Sequence, residues 1–429
     1  MKIKPKLPQS PTSVPINFVA VAILIFTIYI IRRDGEGLSH FQAAIISILS
    51  IVVPIILLEF IYLKPSSHAS TGLDFKKKQP WNMKRLLVKL FGFYMTLVSV
   101  AFVYWLIPEY QGDFYDNYYT FLKLILPWYA ILAIPYFIII DHHMVNPKDG
   151  YWNIGLLFLG QWKKIDYQEL KQHALGWLVK TFYLALMFTY SVKNTDFIRN
   201  YNISEVCDNF ANFFHFTYHS FFVIDVYLAT GGYLLSLRIF GSHIRSAEPT
   251  FLGWFVALEC YEPFWSFSSQ YYLNYFHEIE WNQWLKFSPV LYTIWGCIIL
   301  FLVFIYLYAT ITFGIRFSNL TNRGILTNGP YRFCKHPAYV AKNISWWLIS
   351  MPFLAQGGTS VAIRKSLLLL GVNLIYFLRA RTEERHLSID PVYVEYANIM
   401  NERSIFFWIG KIFPSLQYKK NRLLNTNDK

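Results

Sequence analysis

The chain has 429 residues, of which 55% are hydrophobic, 19% aromatic and only 15% charged, with a net charge of +13. Soluble domains average about 45–50% apolar and about 25% charged residues, so this composition excludes intrinsic disorder and an ordinary water-soluble enzyme. The basic residues lie between apolar runs, as membrane proteins place them beside lipid headgroups, rather than forming a nucleic-acid surface.

A bilayer core asks for about 20 apolar residues per helix. In chain order the sequence predicts spans over Ile16–Ile31, Phe41–Leu63, Leu86–Ile107, Phe121–Ile140, Ala174–Val192 and Phe213–Leu237. A weaker aromatic stretch, Phe251–Trp265, is read as a seventh, and Pro289–Phe313 as an eighth. Two shorter apolar stretches follow, Ile344–Leu354 and Ser366–Leu378, separated by Gln356-Gly357-Gly358, which reads as the turn of a helical hairpin. The first span follows Lys2, Lys4 and Lys6 and is not a signal peptide, because Arg32-Arg33 comes after it instead of a small-residue cleavage site. Threading these spans puts the basic loops 64–85 and 314–342 and the C-terminal tail on one side, which is the cytoplasmic one. The acidic loops around Glu109, Asp113 and Asp116, around Glu205 and Asp208, and around Glu278 and Glu280 fall on the other. The expected fold is thus all-α and polytopic, about eight transmembrane helices plus a C-terminal hairpin. A composition shift near residue 280 divides it into an N-terminal transmembrane scaffold (1–280) and a C-terminal catalytic region (281–429).

The chemistry concentrates in two stretches. In the first, Arg323 to Tyr339, Asn328-Gly329-Pro330 forms a turn, and Lys335-His336-Pro337 breaks the chain just before a membrane-entering helix, with Pro337 suited to its first position. Lys335 and His336 then sit beside the free N–H groups of a helix N-terminus. The bland reading is a basic loop gripping headgroups. The second stretch is Arg379-Ala-Arg381-Thr-Glu383-Glu384-Arg385-His386. On a helix, Arg379–Glu383 and Arg381–Glu384 pair along one flank at the membrane exit; surface ion pairs of this kind contribute little by themselves.

Gly-Pro-Tyr, then basic-His-Pro-x-Tyr, then a hairpin, then Arg-x-Arg-Thr-Glu-Glu, in that order, resembles the isoprenylcysteine carboxyl methyltransferase and phospholipid methyltransferase superfamily over roughly residues 289 to 410. Asp390-Pro-Val-Tyr393-Val-Glu-Tyr396 is similar to the tyrosine-containing segment that follows the acids in that family. The resemblance implies an integral-membrane enzyme that uses S-adenosylmethionine as cofactor and methylates a lipid or prenylated acceptor, a carboxylate or an amine, with its active-site loops on the cytoplasmic side. It implies a cofactor pocket formed by Gly329, Tyr331, Lys335, His336, Pro337, Tyr339, Glu383 and Glu384, and catalytic roles for Arg379, Arg381 and Glu383. Two positions depart from the pattern. Lys335 stands where the family has Arg, keeping the charge without the bidentate fork, and Val340-Ala341-Lys342 stands where it often has a Gly. Membrane sterol reductases, which use NADPH, share a similar His-Pro-Tyr entry, but their acid followed by Cys and their Tyr-Gly pair are missing here. A transporter or scaffold is the non-enzymatic alternative; repeated halves that would support it are not seen.

Elsewhere, the four cysteines Cys207, Cys260, Cys297 and Cys334 form no CxxC pair and indicate neither a disulfide framework nor a zinc ribbon. His215 and His219 are four apart, with Asp225 further along, but no third ligand lies at a persuasive spacing, so no metal is expected. Asp141-His142-His143 reads as interfacial capping, and Glu59 and Asp225 as intramembrane acids serving either function or a neighbouring helix. Tyr261 to Tyr275 reads as an interfacial aromatic belt. Asn202 and Asn319 fit glycosylation triplets.

Overall fold

The computed structural model describes residues 6–277 and 279–419; Lys2, Lys4 and Glu278 lie outside them. The long helices are α1 (Val14–Asp34), α2 (His40–Tyr62), α3 (Met83–Leu106), α4 (Asp116–His143), α6 (Tyr167–Asn200), α7 (Phe210–Leu234), α11 (Pro289–Phe313) and α13 (Thr359–Leu387). Shorter ones are α5 (Gly150–Phe158), α8 (Phe251–Leu258), α9 (Phe264–Tyr271), α10 (Trp281–Trp284), α12 (Pro337–Ser350), α14 (Pro391–Arg403) and α15 (Phe407–Ile412). Among the described residues, seven helical segments are long and apolar enough to cross a membrane: α1, α2, α3, α4, α6, α11 and α13. The protein is an all-α, multi-pass integral membrane protein. The helix α7 is long enough to cross but is diluted by Asn212, His215, His219, Ser220 and Asp225; it packs between α2, α6 and α11.

Helix ends follow local chemistry. Ser39 and Gln42 close a capping box on α2. Ser288 caps α11, whose first residue is Pro289. Leu24, Ile51, Ile55, Phe188, Tyr227 and Leu307 form the core where α1, α2, α6, α7 and α11 meet.

The predicted seventh span is not a helix. Phe251–Trp265 folds as α8 and the beginning of α9, broken at Glu259–Pro263. The segment nevertheless runs the length of α13. Glu248 accepts from Arg385 at 3.2 Å at one end, and Asn274 and Phe276 accept through their carbonyls from Lys365 Nζ at 2.9 and 2.6 Å at the other. Residues 365 to 385 of a helix rise about 30 Å, the thickness of a hydrocarbon core. Irregular backbone survives at that depth where protein buries it or a cavity lies beside it, and the break faces both α13 and a cavity. Tyr261 and Tyr275 therefore turn inward, while Phe264, Phe267, Tyr271 and Tyr272 of the expected belt are exposed.

The hairpin forms with longer arms than its apolar stretches suggest. Gly357 and Gly358, at φ 103° and 93°, make the turn that leads into α13. Asn373 joins the arms by donating to Asn343 and accepting from Trp347 Nε1 at 2.7 Å. A two-residue antiparallel pairing, β1 (Ser246–Ala247) with β2 (Thr321–Asn322), ties the loop after α7 to the loop after α11.

Three polar groups of the sequence analysis belong to this frame. Both oxygens of Glu59 lie 2.8 Å from Arg316 Nη1, whose other nitrogens donate to the carbonyls of Gly241 and Phe240. Asp141 is no simple cap: it pairs with Arg85 at 2.7 Å and Lys89 at 3.2 Å, joining α3 to α4. Arg323, at the head of the first motif, donates to the carbonyls of Ser242, Gly232, Phe317 and Leu235, satisfying the C-terminal end of α7.

Candidate active site

Local chemistry brings the two charged stretches within reach of each other. Gly329 lies at φ 52°, and a Cβ there would stand 2.4 Å from Thr312 Oγ1, so a glycine is required for the turn to close on α11. Pro330 and Tyr331 follow, and the Tyr331 carbonyl accepts from Tyr396 Oη at 2.6 Å, which braces the turn on α14. The chain then breaks at His336, and Pro337 starts α12. The α12–α13 hairpin returns the chain so that Glu383 and Glu384 face the start of α12.

Glu384 is the hub. Its Oε1 accepts from Lys335 Nζ and lies 3.3 Å from His336 Nε2, and its Oε2 accepts from Arg381 Nη1 at 3.0 Å. The neighbouring Glu383 accepts from Tyr339 Oη at 2.8 Å, with His336 Nδ1 3.9 Å from the same oxygen. The His336 and Tyr339 rings stack at 5.4 Å and 5°. The two acids differ in access: the Glu384 side chain is 4% exposed and the Glu383 side chain 38%. Glu384 is fully engaged; Glu383 keeps acceptor capacity.

Beside this cluster lies a polar cavity of about 980 Å³, its opening included, lined by Tyr331, Lys335, His336, Tyr339, Arg379 and Glu383 together with residues from α8, α11 and the 317–321 loop. Arg379 Nη2 donates to Asn319 Oδ1 at 2.6 Å, and its guanidinium carbon lies 5.1 Å from the Tyr339 ring, 5.6 Å from Tyr261 and 5.8 Å from Tyr376. This aromatic box fixes a buried cation at the cavity wall. Arg381 and Glu384 line a second, more apolar hollow on the far side of the cluster, with Met400, Phe406, Phe407 and Leu416. Gly329 and Pro337 line neither hollow, and Pro337 is buried in the first turn of α12.

Residues 290–389 match the model of the isoprenylcysteine carboxyl methyltransferase (ICMT) family.

The match runs from the start of α11 to just past α13, so it holds both charged stretches. No curated protein and no solved structure matches the chain. The family match supports a membrane methyltransferase. Within the ICMT-like region, burial pushes the Cys334 thiol up, which disfavours a thiolate nucleophile beside Lys335.

Several wall residues carried no sequence signal for a site. Tyr261, which its neighbours along the chain place in an aromatic belt, has its ring 5.6 Å from the Arg379 guanidinium, far away in sequence. Asn319, which fits a glycosylation triplet, instead donates through Nδ2 to Tyr233 at 2.9 Å and Tyr261 at 3.0 Å while accepting from Arg379. Asp225 accepts from Tyr306 Oη at 2.6 Å, and Tyr306 lines the cavity. The His215 and His219 rings lie 4.4 Å apart and tilted, His215 stacked on Tyr201 and His219 tilted against Phe197. Among the described residues, no group of three or more His, Cys, Asp or Glu is placed to hold a metal ion.

Proposed function

We propose that the chain transfers a methyl group from S-adenosylmethionine to a lipid-like acceptor bound beside Arg379. The observation that carries this reading is the cluster Lys335–His336–Tyr339–Glu383–Glu384 on one wall of a cavity that holds a guanidinium on another. The cavity residues fit the cofactor: Glu383 has a spare carboxylate oxygen for an ammonium or ribose hydroxyls, and Tyr331, Phe313 and Phe317 offer aromatic faces for a base. The cofactor supplies a methyl group already activated on a sulfonium, so the protein needs no covalent intermediate.

The chain's own residues supply alignment and exclusion of water. Glu384 holds Lys335, His336 and Arg381 in place, so that His336 and Tyr339 present one rigid edge to the cavity. Arg379, held by Asn319 and three tyrosines, orients the acceptor; a guanidinium in that position favours a carboxylate over an amine. An amine acceptor would need a proton acceptor, which Glu383 could serve as.

The spans before residue 280 act as a scaffold in this reading, and Gly253, Ala257 and Tyr261 extend it into the cavity wall. The basic loops support a cytoplasmic position for the cluster. The test is a titration of the purified full chain in detergent with S-adenosylhomocysteine and, separately, with NADPH. S-adenosylhomocysteine is expected to bind and Glu383→Gln to weaken it at least tenfold with folding intact. Binding of NADPH alone would overturn the reading in favour of a reductase, and binding of neither would remove the enzyme.

A further inference from the structure

Another cavity, walled mainly by the N-terminal spans and closed on one side by Asp390 and Val392, lies outside the matched residues 290–389. It measures about 2180 Å³ with its mouth and is walled by α3, α4, α6 and the loop between α7 and β1. One end is apolar, lined by Phe93, Tyr129, Leu132 and Phe137. Leu132 is 61% exposed on the outer face of a membrane-crossing helix, so this end reaches the lipid-facing surface. The other end is lined by Lys180, Arg238, His243 and Arg245, beside basic loops.

Those groups have donors to spare. Lys180 is only 8% exposed, and its ammonium lies 4.3 Å from the Trp177 ring without a hydrogen-bond acceptor among the described residues. His243 is 7% exposed, and its Nδ1 is buried without a partner. Arg245 Nε is likewise unpartnered, and the guanidinium reaches Asp390 only at 4.0 Å. Burial among Arg238, Arg245, Arg316 and Arg323 pushes His243 well below the usual imidazole range, so it stays neutral and offers a hydrogen bond rather than a charge.

The wall also carries acids. Asp149 is held by Lys89 at 3.3 Å and caps α5 through Trp152 N. Glu169 stands on the exposed rim. Asp390 caps α14 through Val392 N at 3.0 Å and accepts from Asn322 at 3.0 Å. These commitments leave the inner cations without a full counter-charge. A buried cation without an acceptor is costly, and a phosphate ester answers both needs, charge and acceptors.

We propose that this cavity holds one membrane phospholipid, its phosphate between Lys180, His243 and Arg245 and an acyl chain along Phe93, Tyr129, Leu132 and Phe137. The length of the cavity and its apolar stem favour a lipid over free phosphate. The site abuts the methyltransferase-like region without sharing its cavity: Arg245 N donates to the Asn322 carbonyl at 2.8 Å, and Ser246 Oγ lies 2.9 Å from His386 Nε2.

The test uses the full chain, purified in a phosphorus-free detergent and stripped of lipid. Thermal unfolding is followed with dioctanoyl phosphatidylglycerol, dioctanoyl phosphatidylcholine or inorganic phosphate, and native mass spectrometry counts retained lipid. The expected result is one phospholipid per chain and a rise in Tm with phospholipid. Occupancy should fall at least tenfold in Lys180→Gln/Arg245→Gln. The fold control is Leu132→Trp, which leaves every cation in place but fills the stem; it should also lose the lipid. No retained lipid, equal retention in these variants, or a Tm rise given in full by inorganic phosphate would each overturn the proposal.

Discussion

Buried charge is handled differently at Glu59 and at the Glu383–Glu384 pair. Glu59 sits inside α2 with both oxygens 2.8 Å from Arg316, and the remaining guanidinium donors go to backbone carbonyls. Neither group lines any of the cavities described above. At the second site Glu384 is just as engaged, but it anchors Lys335 and His336 at the edge of a hollow, and Glu383 and Arg379 face that hollow with polar capacity in reserve. Intramembrane acids are functional hypotheses by default. The comparison teaches that what separates a structural ion pair from a candidate site is the empty volume beside it, more than the burial or the pairing.

Substitutions can break that contrast. The largest effect is expected from Glu384→Gln, which strands Lys335, His336 and Arg381 together. Removing one partner of a buried pair costs about 3–5 kcal/mol, and S-adenosylhomocysteine affinity should drop about a hundredfold or more, equivalent to about 2.7 kcal/mol; calorimetry and thermal unfolding read the two losses. Glu59→Gln should cost a similar about 3–5 kcal/mol of stability while leaving the affinity of the folded protein within about twofold, so a parallel fall in affinity would erase the distinction. For Gly329→Ala, a strained φ together with the Thr312 contact should cost about 1–3 kcal/mol, visible as a lower Tm with S-adenosylhomocysteine still bound. Tyr339→Phe removes one hydrogen bond to Glu383, about 1 kcal/mol or roughly fivefold in Kd, with little change in Tm.

The smallest effect is one of pH. His243 has a folded pKa well below its unfolded value of about 6.5. As pH falls through about 6.5 the unfolded chain takes up a proton that the folded chain refuses, so stability declines toward acid and is unaffected above that range. His243→Gln should flatten the acid limb of Tm against pH; an unchanged limb would show that other groups set it.

Much of this was legible before any coordinates. Apolar run length placed the long helices, since a bilayer demands unbroken helical hydrogen bonding, but α6 and α13 continue seven to nine residues past the predicted Ala174–Val192 and Ser366–Leu378 at each end, where polar residues extend the helix beyond the apolar run. Turn and entry chemistry at Asn328-Gly329-Pro330 and Lys335-His336-Pro337 marked where the chain bends, and the order of motifs carried the family resemblance that the match at 290–389 supports. The seventh crossing was misread as a helix because its aromatic content satisfies a hydropathy pattern that Pro263 interrupts. Tyr261 and Asn319 were legible only as a belt tyrosine and a sequon, because nothing in their neighbours along the chain signals an arginine about 60 or more positions away.

The sequence by itself determined that the chain crosses a membrane many times, where it turns, and which charged groups cluster at the ends of the hairpin, because these depend on local hydropathy and backbone preference. Only the tertiary structure decided which of those charges are spent on each other and which face a cavity. That partition depends on distances between helices far apart in sequence, and no local pattern records it.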